Sequence, residues 1–265
     1  MVPQLRHLSR IRPSTLLATV LTLLLCAQVG ATPATSTEQR TARVFAHGSR
    51  TRHVVALTFD DCRDRKAVLA LYRTLEDEHV PATFFPYGYA VRRSPGLWRM
   101  VAAAGFPIGN HTLSHPDLVR LRQGGVRYQF RAWRQVVDRI VGGGTIPYAR
   151  PPFGHYNART LRAADLEGYG TLVMWDVDTR DWSGLPAAQV AARAERGSNG
   201  SIVLMHCGPS ATVKALPSII AAYRARGFGF VTIPELLEGT GPIGGHGRTA
   251  DQLPAPIARG RPIPS

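Results

Sequence analysis

Lysine is almost missing from this chain of 265 residues. Of its 32 Lys+Arg, only Lys66 and Lys214 are lysines. Acid is in short supply as well: 18 Asp+Glu leave a formal charge of +14. Either an arginine-biased genome or a surface suited to anionic polymers produces such a balance. No alternation of aromatic and basic residues and no nucleic-acid motif accompanies the charge, so nothing supports a DNA or RNA binder. No repeat recurs at a short fixed period. Cysteine is limited to Cys26, Cys62 and Cys207. Long apolar runs are limited to one, near the N-terminus, so no other segment is expected to span a membrane. What remains is ordinary for a globular protein, with 44% hydrophobic and 19% charged residues.

The one apolar run has the layout of an export signal. Arg6, Arg10 and Arg12 precede Leu16–Val29, and Val29-Gly30-Ala31 offers a small-x-small cleavage site. An uncleaved anchor is the alternative. Residues 1–31 are therefore expected to be a signal peptide and 32–52 a polar linker. Residues 53–238 are the folded body, and 239–265, rich in Gly and Pro, a flexible tail. The mature chain is expected to be secreted, extracellular or cell-wall associated, with no membrane span, and monomeric. Removing the signal removes Cys26 and leaves Cys62 and Cys207, for which export permits a disulfide.

Apolar runs suited to strands occur at His53–Asp60, Ala82–Tyr87, Phe106–Asn110, Tyr148–Pro151, Thr171–Val177, Ser201–His206 and Gly229–Ile233. Amphipathic helical stretches alternate with them. One example is Val68, Leu71, Tyr72 and Leu75 on a single face. Seven such strands imply a parallel α/β domain, either a doubly wound sheet or a barrel of βα units. In both, chemistry gathers at the C-terminal ends of the strands.

The reactive side chains fall at those ends. The first strand closes on Asp60-Asp61, the third on GNHTLSH with His111 and His115, and the fourth on RPPFG with Arg150. The fifth runs into DVDTRDW with Asp178, Asp181 and Trp182, and the sixth ends at His206. A carboxylate with two imidazoles is a three-ligand set for a catalytic divalent metal, with a position left open. One aspartate can bind the cation while its neighbour takes a proton from a water that the metal has acidified. A helix N-cap explains one aspartate but not two beside a His pair. His206 is a general-acid candidate. Arg150 and Asp181 can pair to hold the base, or each other, in place.

These motifs, TFDD, HTLSH, RPPFG, DVDTRDW and LMH in that order from Val54 to Leu237, resemble the NodB-type polysaccharide deacetylases, carbohydrate esterase family 4. The resemblance implies a distorted (β/α) barrel with about seven parallel strands, the NodB homology domain. It implies removal of N- or O-acetyl groups from carbohydrate polymers with a divalent metal, zinc first and cobalt or another ion as alternatives. By position Asp60 resembles the catalytic base, and Asp61, His111 and His115 the metal ligands. Arg150 resembles the residue orienting the base, with Asp181 as its partner. His206 resembles the general acid, and the Phe153 N–H the oxyanion donor. Trp182 and Leu204 resemble the walls of the acetyl pocket. Two positions depart from the family pattern: Cys62 stands where Gly is usual, and Asp176 where Ser or Asn is common, which puts the shape of the cleft in question. Since first and late barrel strands approach each other, a Cys62–Cys207 disulfide beside the site is expected, two free thiols being the alternative.

The expected activity is hydrolysis of N-acetyl groups on N-acetylglucosamine polymers, peptidoglycan or chitin-type, with release of acetate. The basic charge favours the anionic wall. An acetylxylan esterase, a non-catalytic wall-binding relative and a small-amide hydrolase are the competing readings.

Overall fold

The run from Val54 to Asp61 is apolar on both faces until it reaches its acids, which a strand tolerates only when covered on both sides. A computed structural model describes residues 40–239 apart from Gly144, and there Val54–Asp61 is strand β2. The expected signal over 1–31 and the tail beyond 239 lie outside the described residues. On one face of β2, Val55, Leu57 and Phe59 pack with Val68 and Leu71 of helix α1, Arg65–Asp77. On the other, Ala56 packs with Phe85, Val173 and Ile202 inside the sheet. Burying each large apolar side chain contributes about 1.5–3 kcal/mol.

Around β2 the described residues form a nine-stranded sheet in which every strand ladder is parallel. The other strands are β1 Arg43–Phe45, β3 Ala82–Pro86, β4 Ile108–Asn110, β5 Thr145–Ala149, β6 Thr171–Val173, β7 Val177–Asp178, β8 Ser201–His206 and β9 Gly229–Phe230. Their order is β1-β6-β5-β4-β3-β2-β8-β7, with β9 also paired to β2. The expected strand Thr171–Val177 is thus two pieces, β6 against β5 and β7 against β8. β6 continues the ladder from β5 and β7 ends it beyond β8; among the described residues no ladder joins the two, so the sheet is a half-barrel open at this point. Its distortion is the break at residues 174–176.

That break is filled from two sides. Asp176 accepts from the Ile202 N–H at 2.7 Å and from the Ser201 hydroxyl at 2.9 Å, and pairs with Arg50 at 2.7 Å. These contacts lie at the start of β8, away from the His206 end. The departure at Asp176 is therefore structural and leaves the cleft untouched. From within the barrel, Arg150 donates to the Val173 and Met174 carbonyls at 3.0 and 3.2 Å.

β1 falls inside the stretch expected as linker and pairs with β6. The linker reading fails for Arg43–Phe45 because three residues with a single apolar pair carry too little periodicity to register as a strand. The helical stretches that the periodicity marks form, and two short helices, Gly88–Arg93 and Ile233–Glu238, add to them, the latter starting where the strand Gly229–Ile233 was expected to end. α2 Gly88–Arg93 and α3 Pro95–Ala103 follow β3, and α4 Gln123–Val141 follows β4. α5 Ala158–Leu166, α6 Ala187–Ala194, α7 Ser210–Ala225 and α8 Ile233–Glu238 complete the set. Asp64 caps α1 by accepting from the Lys66 and Ala67 N–H groups. Gly142 ends α4 at φ 69°, a left-handed turn that glycine adopts without steric cost. No described helix is long and apolar enough to cross a membrane.

Candidate active site

Asp60 ends the inward-facing alternation of β2 and is only 2% exposed. A carboxylate so deep requires a charge partner. Arg150, fully buried, donates to Asp60 Oδ1 at 2.7 Å and to the Thr58 hydroxyl at 2.9 Å. Burial lowers the pKa of the guanidinium, and Asp60 pushes it back up. The arginine also lies over the Phe85 ring, 4.3 Å from its centre. With its donors committed to Asp60, Thr58 and the barrel break, Arg150 holds one oxygen of Asp60 and leaves the other facing the site. That second oxygen, Oδ2, lies 3.8 Å from His111 Nε2.

The next residue turns the other way. Asp61 and Cys62 have φ 63° and 59°, left-handed values uncommon for residues with a Cβ. Glycine takes such a turn freely, which explains why Gly suits the position that Cys62 fills here. The turn aims Asp61 Oδ1 at His115 Nε2, 3.1 Å away, and His111 Nε2, 3.5 Å away. The two histidines sit on an irregular loop after β4, not on a helical face. Asn110 accepts from the Thr112 N–H, Thr112 accepts from the His115 N–H, and Gln129 of α4 accepts from the Leu113 and Ser114 N–H groups. His111 Nδ1 faces the Arg150 carbonyl at 2.8 Å, and a carbonyl only accepts, so Nδ1 carries the hydrogen. In the neutral ring Nε2 then points a lone pair at Asp61.

Asp61 Oδ1 is buried and has no hydrogen-bond partner that fits this arrangement. Two imidazole nitrogens and a carboxylate oxygen facing one another within 4.8 Å repel unless a cation joins them. The donor set therefore fits a divalent ion of the zinc type. Burial would raise the Asp61 pKa, but His111 and His115 outweigh it and hold the carboxyl well below the usual carboxylate range.

His206, at the end of β8, faces the same cleft. Its Nδ1 lies 2.7 Å from Asp181 Oδ1, while Asp181 Oδ2 accepts from the His206 N–H at 2.7 Å and from the Thr212 hydroxyl. Asp181 is thus the partner of His206, and the pairing with Arg150 that the resemblance implies does not form. The reason is position: Arg150 is enclosed within the barrel, whereas Asp181 opens a 3-10 turn packed on β8. Burial alone would lower the imidazole pKa; Asp181, with the charges of Asp60 and Asp61, lifts it to about 8. A group that must be protonated to act loses activity as pH rises through its pKa. With His206 as the acid that the sequence leads one to expect, an alkaline limb in kcat is expected, and Asp181→Asn should move it to lower pH. A pH–rate profile of both proteins checks this; an unmoved limb assigns it to another group.

The cleft above these residues encloses about 460 Å³ and is lined by Asp61, Arg63, Asp181, Trp182, Leu185 and His206. Trp182 is 58% exposed and forms one wall. The Phe153 backbone takes φ 61°, and its exposed ring packs edge-on to His115 with centres 4.7 Å apart. Leu204 is buried beside Thr58 in register, two positions before His206 in β8, and is not among the residues that line the cleft. Cys62 and Cys207 are joined by a disulfide, with Cα atoms 4.2 Å apart. The Asp60 carbonyl accepts the N–H of both cysteines. Thr58, Thr212, Asn110 and Gln129 were not singled out from the sequence. Thr58 and Gln129 do carry a signal, a polar residue at a core position of an otherwise apolar pattern; Thr212 and Asn110 carry none.

Residues 47–172 match the model of the polysaccharide deacetylase family. Over 189 residues the chain is 33% identical to a peptidoglycan-N-acetylglucosamine deacetylase of Bacillus cereus, covering 69% of this chain and 68% of the relative. The chain belongs to the polysaccharide deacetylases, carbohydrate esterase family 4. Family structures superpose accordingly. A peptidoglycan N-acetylglucosamine deacetylase complexed with 4-naphthalen-1-yl-N-oxidanyl-benzamide is 31% identical at a TM-score of 0.69, over 74% of this chain and 92% of that one. A family pseudoenzyme from Bacillus anthracis is 27% identical at 0.71, over 75% and 70%. A polysaccharide deacetylase fold thus occurs without activity, and individual residues must carry the argument. The match to the family model takes in Asp60, Asp61, His111, His115 and Arg150 and stops short of Asp181 and His206.

Proposed function

We propose that this chain is a metal-dependent deacetylase that hydrolyses the N-acetyl groups of N-acetylglucosamine in peptidoglycan, releasing acetate. The observation that carries the reading is the buried Asp61 oxygen opposed to two imidazole nitrogens, directly beside an aspartate with one oxygen still free. A non-catalytic relative has no need of that arrangement.

Asp61, His111 and His115 would hold the cation, zinc or cobalt being suited to the donor set. When bound, it supplies polarisation of the acetyl carbonyl and an acidified water. Asp60, fixed in place by Arg150, takes the proton of the attacking water on its free oxygen. The Phe153 N–H donates to the oxyanion that develops. His206 carries its acid proton on Nε2, because Nδ1–H is engaged by Asp181, and delivers it to the departing sugar amine. Trp182 walls the acetyl group. For an acetyl ester, as in acetylxylan, the leaving group is a hydroxyl and the same residues serve.

Export is part of the proposal. It is supported by the N-terminal signal pattern, by a disulfide beside the site, which forms in oxidising compartments, and by relatives described as peptidoglycan deacetylases. Mass measurement of the mature chain should place its first residue at Thr32. Acetate release from peptidoglycan, chitin oligomers and acetylxylan, before and after chelation, tests the activity. Release from peptidoglycan that chelator removes and zinc or cobalt restores is the expected result. No chelator-sensitive release from any of the three would sink the reading.

A further inference from the structure

Arg63 follows the disulfide cysteine and lines the cleft with Asp61, Trp182 and His206. It is exposed and has no hydrogen-bond or ionic partner among the described residues. The acids around it are committed: Asp61 faces His111 and His115, Asp64 caps α1, and Asp181 holds His206 and Thr212. The charge of Arg63 is therefore unspent inside the site.

Its placement is fixed from both sides. Cys62 is bonded to Cys207 and donates its N–H to the Asp60 carbonyl at 2.8 Å. Asp64 is locked as the cap of α1. The side chain runs towards the turn after β8: a Cβ placed on Gly208 would lie 3.9 Å from Arg63 Nε. The Arg63 side chain thus lies beside the His206–Gly208 turn, next to the group that would protonate the departing sugar. A planar, permanently charged fork in that position suits a carboxylate.

We propose that Arg63 binds a carboxylate of the glycan, so that the cleft selects acidic strands over neutral ones. This rests on the deacetylase reading above. In peptidoglycan the carboxylate has two sources, the lactyl ether on the neighbouring sugar or the peptide stem it bears.

The test compares wild type, Arg63→Gln and Arg63→Lys on three substrates. These are strands with stems, strands whose stems have been hydrolysed from the lactyl group, and neutral chitin oligomers. Arg63→Gln should lower the ratio of kcat/KM for acidic over neutral substrate roughly tenfold through KM, the scale of one charge-assisted hydrogen bond. Lysine should recover part of it, and raised salt should erode the wild-type preference. A larger loss on stem-free strands assigns the lactyl carboxylate; a larger loss on stem-bearing strands assigns the stem. An unchanged ratio in Arg63→Gln overturns the proposal, as does a wild type that turns over neutral oligomers at least as well. If no substrate releases acetate, the activity reading fails separately. Titration of the acidic strands then still decides the matter, since equal affinity of wild type and Arg63→Gln refutes the role of Arg63.

Discussion

Replacing Asp60 with Asn is expected to lower acetate release roughly 10²–10⁴-fold, the range of a lost general base, while the metal content of the protein stays the same. The separation follows from geometry. Asp60 gives one oxygen to Arg150 at 2.7 Å, and the amide oxygen of Asn can accept the same hydrogen bond. Arg150 is then not left buried without an acceptor, a defect that would cost about 3–5 kcal/mol. The cation ligands on Asp61, His111 and His115 are not touched. Metal analysis alongside kinetics decides the case. If metal is lost together with activity, the roles of the two aspartates are reversed.

Removing the disulfide is the second large effect expected. Cys62 and Cys207 are separated by 145 residues, and cross-linking a loop of that length restricts the unfolded chain strongly. Its loss should cost about 2–5 kcal/mol, a fall in Tm of roughly 5–20 °C for a chain of this size. Activity should fall too, even well below the new Tm. The bond ties the turn carrying Asp61 to the turn carrying His206, and misplacing reacting groups by an ångström costs up to ~100-fold. Two variants separate the contributions. Cys62→Ser with Cys207→Ser loses the bond and keeps a side chain at φ 59°. Cys62→Gly with Cys207→Ser loses the bond but relieves the left-handed turn, and should recover about 1 kcal/mol. Thermal unfolding with parallel acetate assays reads both. Equal stability of wild type and both variants would show that the bond contributes nothing to the fold.

The sequence by itself determined that the domain is parallel α/β, that five of seven apolar runs end in reactive residues, and that two acids and two histidines belong to one site. It could do so because strand and helix periodicity, turn residues and charge at strand ends are local signals, written in consecutive positions. The short β1 and the break between β6 and β7 were not visible that way, since three residues and a gap of three leave no period to read.

Partnership across the barrel was decided only by the tertiary structure. Asp181 pairs with His206 rather than Arg150, and Arg150 fills the barrel break while holding Asp60. Asp176 braces the opposite end of β8 instead of entering the cleft. His111 and His115 meet Asp61 from a loop shaped by Asn110 and Gln129, not from a helix. The physical reason is common to all four. Which side chains meet depends on strand order and register, and these are set by packing the whole sheet against its helices, over sequence distances at which no local pattern carries information.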